Sequence, residues 1–454
     1  MSAHDVVIVG AGVAGSAAAR AFARAGRRVA LVDARPFDDA GARWVNGVPD
    51  WMFDAAGVPR PEAPERRPAG PFVMLDAAGT RRQTVDPSPA QPIDMRLLGE
   101  RLRADAFAAG AEGLDAHRVV DLALDGRGRP RRLTLDGPGG RRDLEAQLFV
   151  DAAGMKGVLR RRVPALADAC PKVPGADVCS AAQAVFHLRD AAAARRWLDA
   201  QGARPLETLS RTGVAGGYSI GNVMVDVDGD EVELLTGSVP AEGNRDGPHI
   251  LSELLEDLPW IGERIFGGQG AIPIRRPYAH LTHPGLALLG DAACQVFPAH
   301  GSGIGIGLIA ARLLADSTAS AADPGARAVV WRYGAQFHHQ WGGLLAGYDL
   351  FRRLSQSLAP EETAALLASG LLTPTGTRAA LAQRLPRVPL RDLPKLARGL
   401  TRTPRLGTRL LAVLGWMPAI TAWAKRFPQV PDEAARDRWA SRMDALFVRA
   451  TGRP

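Results

Sequence analysis

Lysine is almost missing from this 454-residue chain: Lys156, Lys172, Lys395 and Lys425 are the only lysines among 56 basic residues. Cysteine is equally scarce. Cys170, Cys179 and Cys294 cannot build a disulfide framework or a spaced zinc site, which points to a reducing compartment. No run of 18 uncharged apolar residues occurs, which excludes an ordinary membrane-spanning helix. No basic leader precedes the first apolar run, so no secretory signal is expected and a cytoplasmic location is. Internal repeats are absent. With 46% hydrophobic and 23% charged residues the composition is that of a globular protein with a sizeable core, not of a disordered one. The net charge of +8 is local: Arg378–Arg426 holds eleven basic residues and one acid, Asp392, so the remainder is close to neutral.

Residues 5–9 (DVVIV) form an apolar run of strand length, residues 13–26 have helical spacing, and 29–33 (VALVD) form a second buried strand. The pattern predicts a βαβ unit with parallel strands. Gly10-x-Gly12-x-x-Gly15 lies at the strand-to-helix turn. Gly10 permits the tight turn, Gly12 lets a pyrophosphate approach the backbone, and Gly15 lets helix and strand pack closely. Val13 and Ala14 open the helix whose free N–H groups and dipole favour a phosphate. Asp33, followed by Ala34 and Arg35, ends the second strand where a carboxylate takes ribose hydroxyls. A nucleotide site is expected.

Gly290-Asp291-Ala-Ala, then Pro298 and Gly301-Ser302-Gly303-Ile304 at the start of a helix, resembles the GD motif of FAD enzymes of the p-hydroxybenzoate hydroxylase superfamily. That superfamily includes aromatic hydroxylases, geranylgeranyl reductases, lycopene cyclases and flavin-dependent halogenases. The resemblance covers roughly residues 5–320 and implies FAD as cofactor. It also implies that Asp291 binds the ribityl chain and that the following helix N-terminus faces the flavin edge that gains charge on reduction. In VDAAGMKGVLRR (150–161), Ala153 stands beside Gly154 where aromatic hydroxylases carry an Asp-Gly pair. No lysine precedes Lys156, so the lysine expected of a halogenase is missing, and the halogenase and reductase tryptophan signatures are unmatched.

Further candidates surround this frame. His300, between Pro298 and Gly301, is the candidate catalytic acid–base or polarising group. Arg43 is a candidate for the pyrophosphate, Val119 and Val120 for the adenine, and Ala153 and Gly154 for the flavin. Trp44, Trp51 and Phe53 are candidates for the roof of the substrate pocket. Cys294 reads as a small buried residue, and His338 and His339 as helix-packing residues, since adjacent histidines point about 100° apart and cannot share a ligand. No metal site is expected.

The expected fold is an α/β glutathione-reductase-type FAD domain with an inserted antiparallel β-sheet substrate domain and a helical C-terminal region. Residues 1–71, 92–174 and 276–325 are assigned to FAD binding, 72–91 and 175–275 to the substrate domain, and 326–454 to the helical region. The first expectation for function is a flavin monooxygenase acting on a hydrophobic organic substrate, with NAD(P)H or a separate flavin reductase as electron source. The alternative resembles geranylgeranyl reductase, acting on C=C bonds of an isoprenoid or polyene. A further alternative is a lycopene-cyclase-like flavoenzyme without net redox turnover, or a halogenase relative lacking the halogenase lysine. Residues 378–426, with the apolar run 410–423, suggest contact with a membrane surface or an acidic carrier protein. Nucleic acid is not expected as a partner.

Overall fold

The computed structural model describes residues 4–387 and 389–452. A parallel sheet is built outward from His4–Val9, whose apolar run is covered on both faces and so needs no polar alternation. Its strand order is Thr282–His283, Leu286–Leu288, Gly140–Asp151, His4–Val9, Val29–Val32, Glu112–Leu114. All pairings are parallel except that of the short edge strand Thr282–His283. Helix Val13–Arg24 packs against helices Met95–Ala108 and Ile304–Thr318. Arg118–Leu124 and Pro130–Gly137 add an antiparallel meander to the outer half of Gly140–Asp151. This is the layering of an FAD-binding Rossmann-type fold.

A second sheet has seven strands in the order Ile261–Pro273, Val178–Leu188, Glu231–Ser238, Ser219–Asp226, Thr208–Thr212, Phe72–Leu75, Arg82–Val85. One face is apolar (Val73, Leu209, Val223, Val232, Leu234) and lies under helices Ala191–Ala200 and Gly247–Asp257. On the other face one cross-strand row crosses the whole sheet: Gly268, Gln183, Leu235, Asn222, Ser210, Met74, Gln83. Gln183 Oε1 accepts from the Val45 N–H at 2.5 Å, and Gln83 Nε2 donates to Thr377 Oγ1 at 2.6 Å. That face therefore looks toward the nucleotide-type unit and the C-terminal helices. The sheet is not wholly antiparallel as expected, because Thr208–Thr212 runs parallel to Phe72–Leu75. These strands come from separate excursions of the chain, so no hairpin dictates their direction. Ala90–Asp94, the last strand of the stretch around residue 80, pairs with Val45–Pro49 instead.

The remainder is helical from Arg327 to Thr451, apart from connecting turns. The run 410–423 belongs to helix Pro404–Ala424, whose Leu410, Val413, Met417 and Ile420 are buried with Leu350, Trp331 and Trp439. One side of the run is core, and the other, with Leu411 at 51% exposure and Ala412, Gly415, Pro418 and Ala419, lies at the surface. Arg352, wholly buried, bonds Asp349 of its own helix at 2.5 Å and ties this region to the second sheet through Asp177 at 2.7 Å, just before Val178–Leu188.

Candidate functional site

The glycine loop is fixed by sterics that the structure makes explicit. Gly10 has φ +109°, and a Cβ there would lie 2.2 Å from the Ala152 carbonyl oxygen. A Cβ on Gly15 would lie 1.9 Å from the Gly10 carbonyl oxygen. Gly12 differs: the nearest protein atom to its Cβ position is Gly41 Cα at 3.6 Å. Gly12 is also the N-cap of Val13–Arg24 with no side-chain cap, so the first N–H groups of the helix, from Val13 and Ala14 onward, face outward unpartnered by a capping side chain. The loop is a cradle sized for an anion.

Asp33 is buried at the end of its strand, with Oδ2 accepting from Ala11 N–H at 2.7 Å and Oδ1 from Arg35 N–H at 2.9 Å. The backbones of Asp33 and Arg35 are bonded to Leu114, Ala116 and His117, which brings Val119 and Val120 alongside. Val119 is buried and Val120 exposed. Ala34 and Arg35 are exposed beside Asp33. Arg43 turns to the Asp38 carbonyl and to Asp39 at 3.4 Å. The guanidinium that touches the glycine loop is Arg103, buried, with Nη1 donating to the Ala11 carbonyl at 3.1 Å. Burial holds its pKa below the ordinary arginine value. Gly99 makes room for it, since a Cβ there would lie 3.0 Å from Arg103 Nη1. The sequence signal was an arginine four residues after Gly99 and three before Ala106, on the small-residue side of the helix.

Gly290–Ala293 forms a 3-10 turn after Leu286–Leu288. Gln295 Oε1 accepts from the Gly290 N–H at 2.9 Å, and its Nε2 bonds Tyr333, so the turn is held from behind. A Cβ on Gly290 would sit 3.3 Å from Ala14 Cβ, and one on Gly303 would sit 3.3 Å from Asp291 Oδ1. The two glycine motifs therefore meet, and Asp291 lies at the N-terminus of Ile304–Thr318. No donor among the described residues reaches the Asp291 carboxylate, which keeps part of its surface open and whose pKa burial alone raises to about 6. A hydroxyl-bearing ligand chain would supply what this carboxylate lacks. The uncapped cradle and the unpartnered carboxylate fit the pyrophosphate and ribityl parts of FAD.

Asp151 is fully buried and accepts from the N–H groups of Ala153, Leu159 and Arg160 at 3.2, 2.8 and 2.7 Å. It shapes the turn on which Ala153 and Gly154 (φ +73°) stand partly open. Arg160, buried over the Tyr278 ring, donates to the Ala292 carbonyl at 3.0 Å and locks this turn to the GD turn. Sequence patterning gave no signal for that link.

Pro298, Gly301 and Ser302 are buried, and Phe297 pairs with Ser302 across the turn. A Cβ on Gly301 would lie 3.7 Å from Ile272 of the second sheet. His300 sits between the Phe297 ring, 4.7 Å away, and the Ala380 carbonyl, 3.3 Å from Nε2. Burial lowers its pKa to about 4, so at neutral pH it is uncharged and can offer an N–H to Ala380. Ala380 also accepts from the Gln383 N–H, and the Ala382 carbonyl accepts from Trp51 Nε1 at 2.9 Å. Residues 380–384 thus cover the His300 turn.

Trp51 stacks on Trp341, and Trp44 lies over Gly268 and Gly270 of the second sheet. Phe53 is wholly buried in the core and cannot line a pocket. Burial pushes the Cys294 thiol up to about 11 and Cys170 and Cys179 up to about 12, so none is a thiolate at neutral pH. His338 is packed between Phe427 and Trp439, and His339 meets the Phe427 carbonyl.

Residues 5–162 match the family model described as FAD dependent oxidoreductase. Digeranylgeranylglycerophospholipid reductase 2 of Methanothermobacter thermautotrophicus is 27% identical over 397 residues, 81% of this chain and 91% of that protein. Menaquinone reductase of Mycolicibacterium smegmatis is 28% identical over 326 residues, 69% of this chain and 75% of its own. In fold, a geranylgeranyl bacteriochlorophyll reductase-like protein from Thermoplasma acidophilum has a TM-score of 0.72 at 17% identity, covering 91% of this chain and 100% of that one. A myxobacterial chondrochloren halogenase has a TM-score of 0.58 at 15% identity, covering 100% and 97%. The resemblance carried by the two motifs therefore holds, and the chain is similar to FAD-dependent oxidoreductases.

Proposed function

We propose that this protein is an FAD-dependent reductase that acts on carbon–carbon double bonds of an isoprenoid-bearing lipid or quinone. The carrying observation is that the likeness to a digeranylgeranylglycerophospholipid reductase runs over 91% of that protein, past the nucleotide loop and into the second sheet. The monooxygenase expectation ranks below it, because a probable FAD-dependent monooxygenase of Pseudomonas aeruginosa shares only the fold, at 18% identity, whereas the reductase is 27% identical over most of its length.

FAD, when bound, supplies the two-electron reducing chemistry. The chain supplies binding and enclosure. The Gly12 loop and the first N–H groups of Val13–Arg24 would hold the pyrophosphate, Asp33 the ribose and Asp291 the ribityl hydroxyls. Neutral His300 holds its turn to residues 380–384, excluding water from that side. The sheet row that looks toward these parts carries Leu235 and Met74 among the uncharged polar residues Gln183, Asn222 and Ser210, with Glu233 bonded to Gln183 on the same face. The electron source is proposed to be NAD(P)H or a separate flavin reductase.

The test is anaerobic turnover. The chemically reduced holoenzyme is mixed with a geranylgeranyl lipid or menaquinone without oxygen, and products are read by mass spectrometry. Gain of one H2 per reduced double bond supports the reading. No anaerobic product, with oxygen incorporation once air is admitted, would restore the oxygenase.

A further inference from the structure

Three of the eight exposed large apolar side chains among the described residues lie close in sequence, interleaved with cations that have no ion pair. Leu390 is 83% exposed, Leu393 48% and Leu385 41%, values unusual for leucine in a packed domain. Arg387, Arg391 and Lys395, all exposed, are interleaved with them. Among the described residues no acidic side chain forms an ion pair with any of the three. The one acid of the segment, Asp392, is buried. Helix Leu393–Arg402 turns Gly399 inward, with Leu396 and Leu400 packed against the C-terminal core, and leaves Lys395 and Arg398 outside.

We propose that this surface docks on an anionic lipid bilayer, with Leu385, Leu390 and Leu393 entering the acyl boundary and the cations meeting headgroup phosphates. The leucines choose a bilayer over an acidic protein. Leucine among guanidinium groups gains nothing from an acidic polar surface but gains by burial in hydrocarbon. No helix among the described residues is long and apolar enough to cross a membrane, so bilayer contact through this region is interfacial. The same stretch begins at the candidate site, where the Ala380 and Ala382 carbonyls meet His300 and Trp51. A membrane-resident substrate would therefore reach the covered face without crossing bulk water. The docking surface stands apart from the double-bond reading, because vesicle binding is measured without turnover.

The experiment is flotation of the FAD-loaded protein with phosphatidylcholine vesicles, with and without phosphatidylglycerol, at low and high salt. Binding is expected only with phosphatidylglycerol, weakened by salt. Leu390→Gln with Leu393→Gln, which removes the apolar side chains without changing the charge, is expected to reduce it at least tenfold, and Arg391→Glu with Lys395→Glu similarly. Both variants should keep the flavin spectrum and melting temperature of the parent, since the altered side chains are exposed. Absence of binding to phosphatidylglycerol vesicles overturns the proposal. So does salt-sensitive binding that the two neutral glutamines leave unchanged, which is the behaviour of a purely electrostatic patch.

Discussion

A methyl group on Gly290 would lie 3.3 Å from Ala14 Cβ, although the two residues belong to motifs at opposite ends of the α/β unit. The contact exists because Leu286–Leu288 and His4–Val9 flank the same strand, Gly140–Asp151, so their following turns emerge side by side. Brought together, one turn offers N–H groups and the other a carboxylate. That polarity suits one long ligand with an anionic middle and a hydroxylated arm.

The three glycines of the first loop should separate by experiment. Gly10→Ala meets both a positive φ and the Ala152 carbonyl at 2.2 Å, so a loss of at least about 3 kcal/mol is expected in urea unfolding. Gly12→Ala meets nothing in the protein closer than 3.6 Å and has φ −67°. Its stability should stay within about 0.5 kcal/mol of the parent, while FAD affinity, read by flavin fluorescence, falls at least tenfold. Equal losses of stability in both variants would contradict the cradle.

Asp291 has a folded pKa of about 6 against an ordinary 3.8, so the ionised form is disfavoured by folding. The penalty is absent below pH 3.8, grows as pH rises to about 6, and is constant above. Asp291→Asn removes it. In the flavin-free protein the variant should be more stable than the parent at pH 7.5, by at most about 3 kcal/mol, with the difference vanishing near pH 4. FAD affinity should move the opposite way and fall about tenfold, because a charge-assisted hydrogen bond is lost.

His338 is 2% exposed, its Nε2 has no partner among the described residues, and burial lowers its pKa to about 3. A depressed histidine contributes stability that is present above the unfolded value of 6.5 and is lost as pH falls. From pH 7.5 to 5 this group alone should cost about 2 kcal/mol. His338→Phe keeps the stacking on Phe427, 4.5 Å between ring centres, and should flatten that part of the acid limb. An unchanged pH dependence of the melting temperature would show that His338 stays accessible to protons.

Local signals made the α/β unit readable. Gly10 and Gly15 are demanded by sterics at the strand-to-helix turn, and the apolar runs at 5–9 and 29–33 have no other use than buried parallel strands. The residues that were not readable act across distance. Arg160 reaches Ala292, and Gln295 reaches Tyr333, through tertiary contacts with no periodicity. Residues 410–423 were ambiguous for the opposite reason: a helix apolar over most of its circumference suits both an interface and a core, and packing against Trp439 and Leu350 shows which side is core while Leu411 stays exposed. The parallel pairing of Thr208–Thr212 with Phe72–Leu75 was hidden because strand propensity carries no direction.

The buried charges around Asp349 yield the largest expected stability effect. Asp349 accepts from the Arg276 N–H at 3.1 Å, Arg352 Nη2 at 2.5 Å and Arg353 Nε at 3.3 Å. Burial opposes its charge, yet the three arginines hold its pKa far below the ordinary carboxylate range. Its contribution is therefore present throughout ordinary pH and lost only in strong acid. Asp349→Asn would leave guanidinium groups with 0–8% side-chain exposure short of a counter-charge, at a cost of about 3–5 kcal/mol. Glu253→Gln, which breaks the exposed pair with Arg245, should cost less than about 1 kcal/mol. Because the network joins Asp177 before the second sheet to Asp444 in the last helix, its loss should also uncouple the C-terminal helices. Urea unfolding followed by tryptophan fluorescence should then show an early transition in the Trp331, Trp423 and Trp439 cluster. A single unfolding transition at the parent midpoint would mean that the helices are held by hydrophobic contact alone.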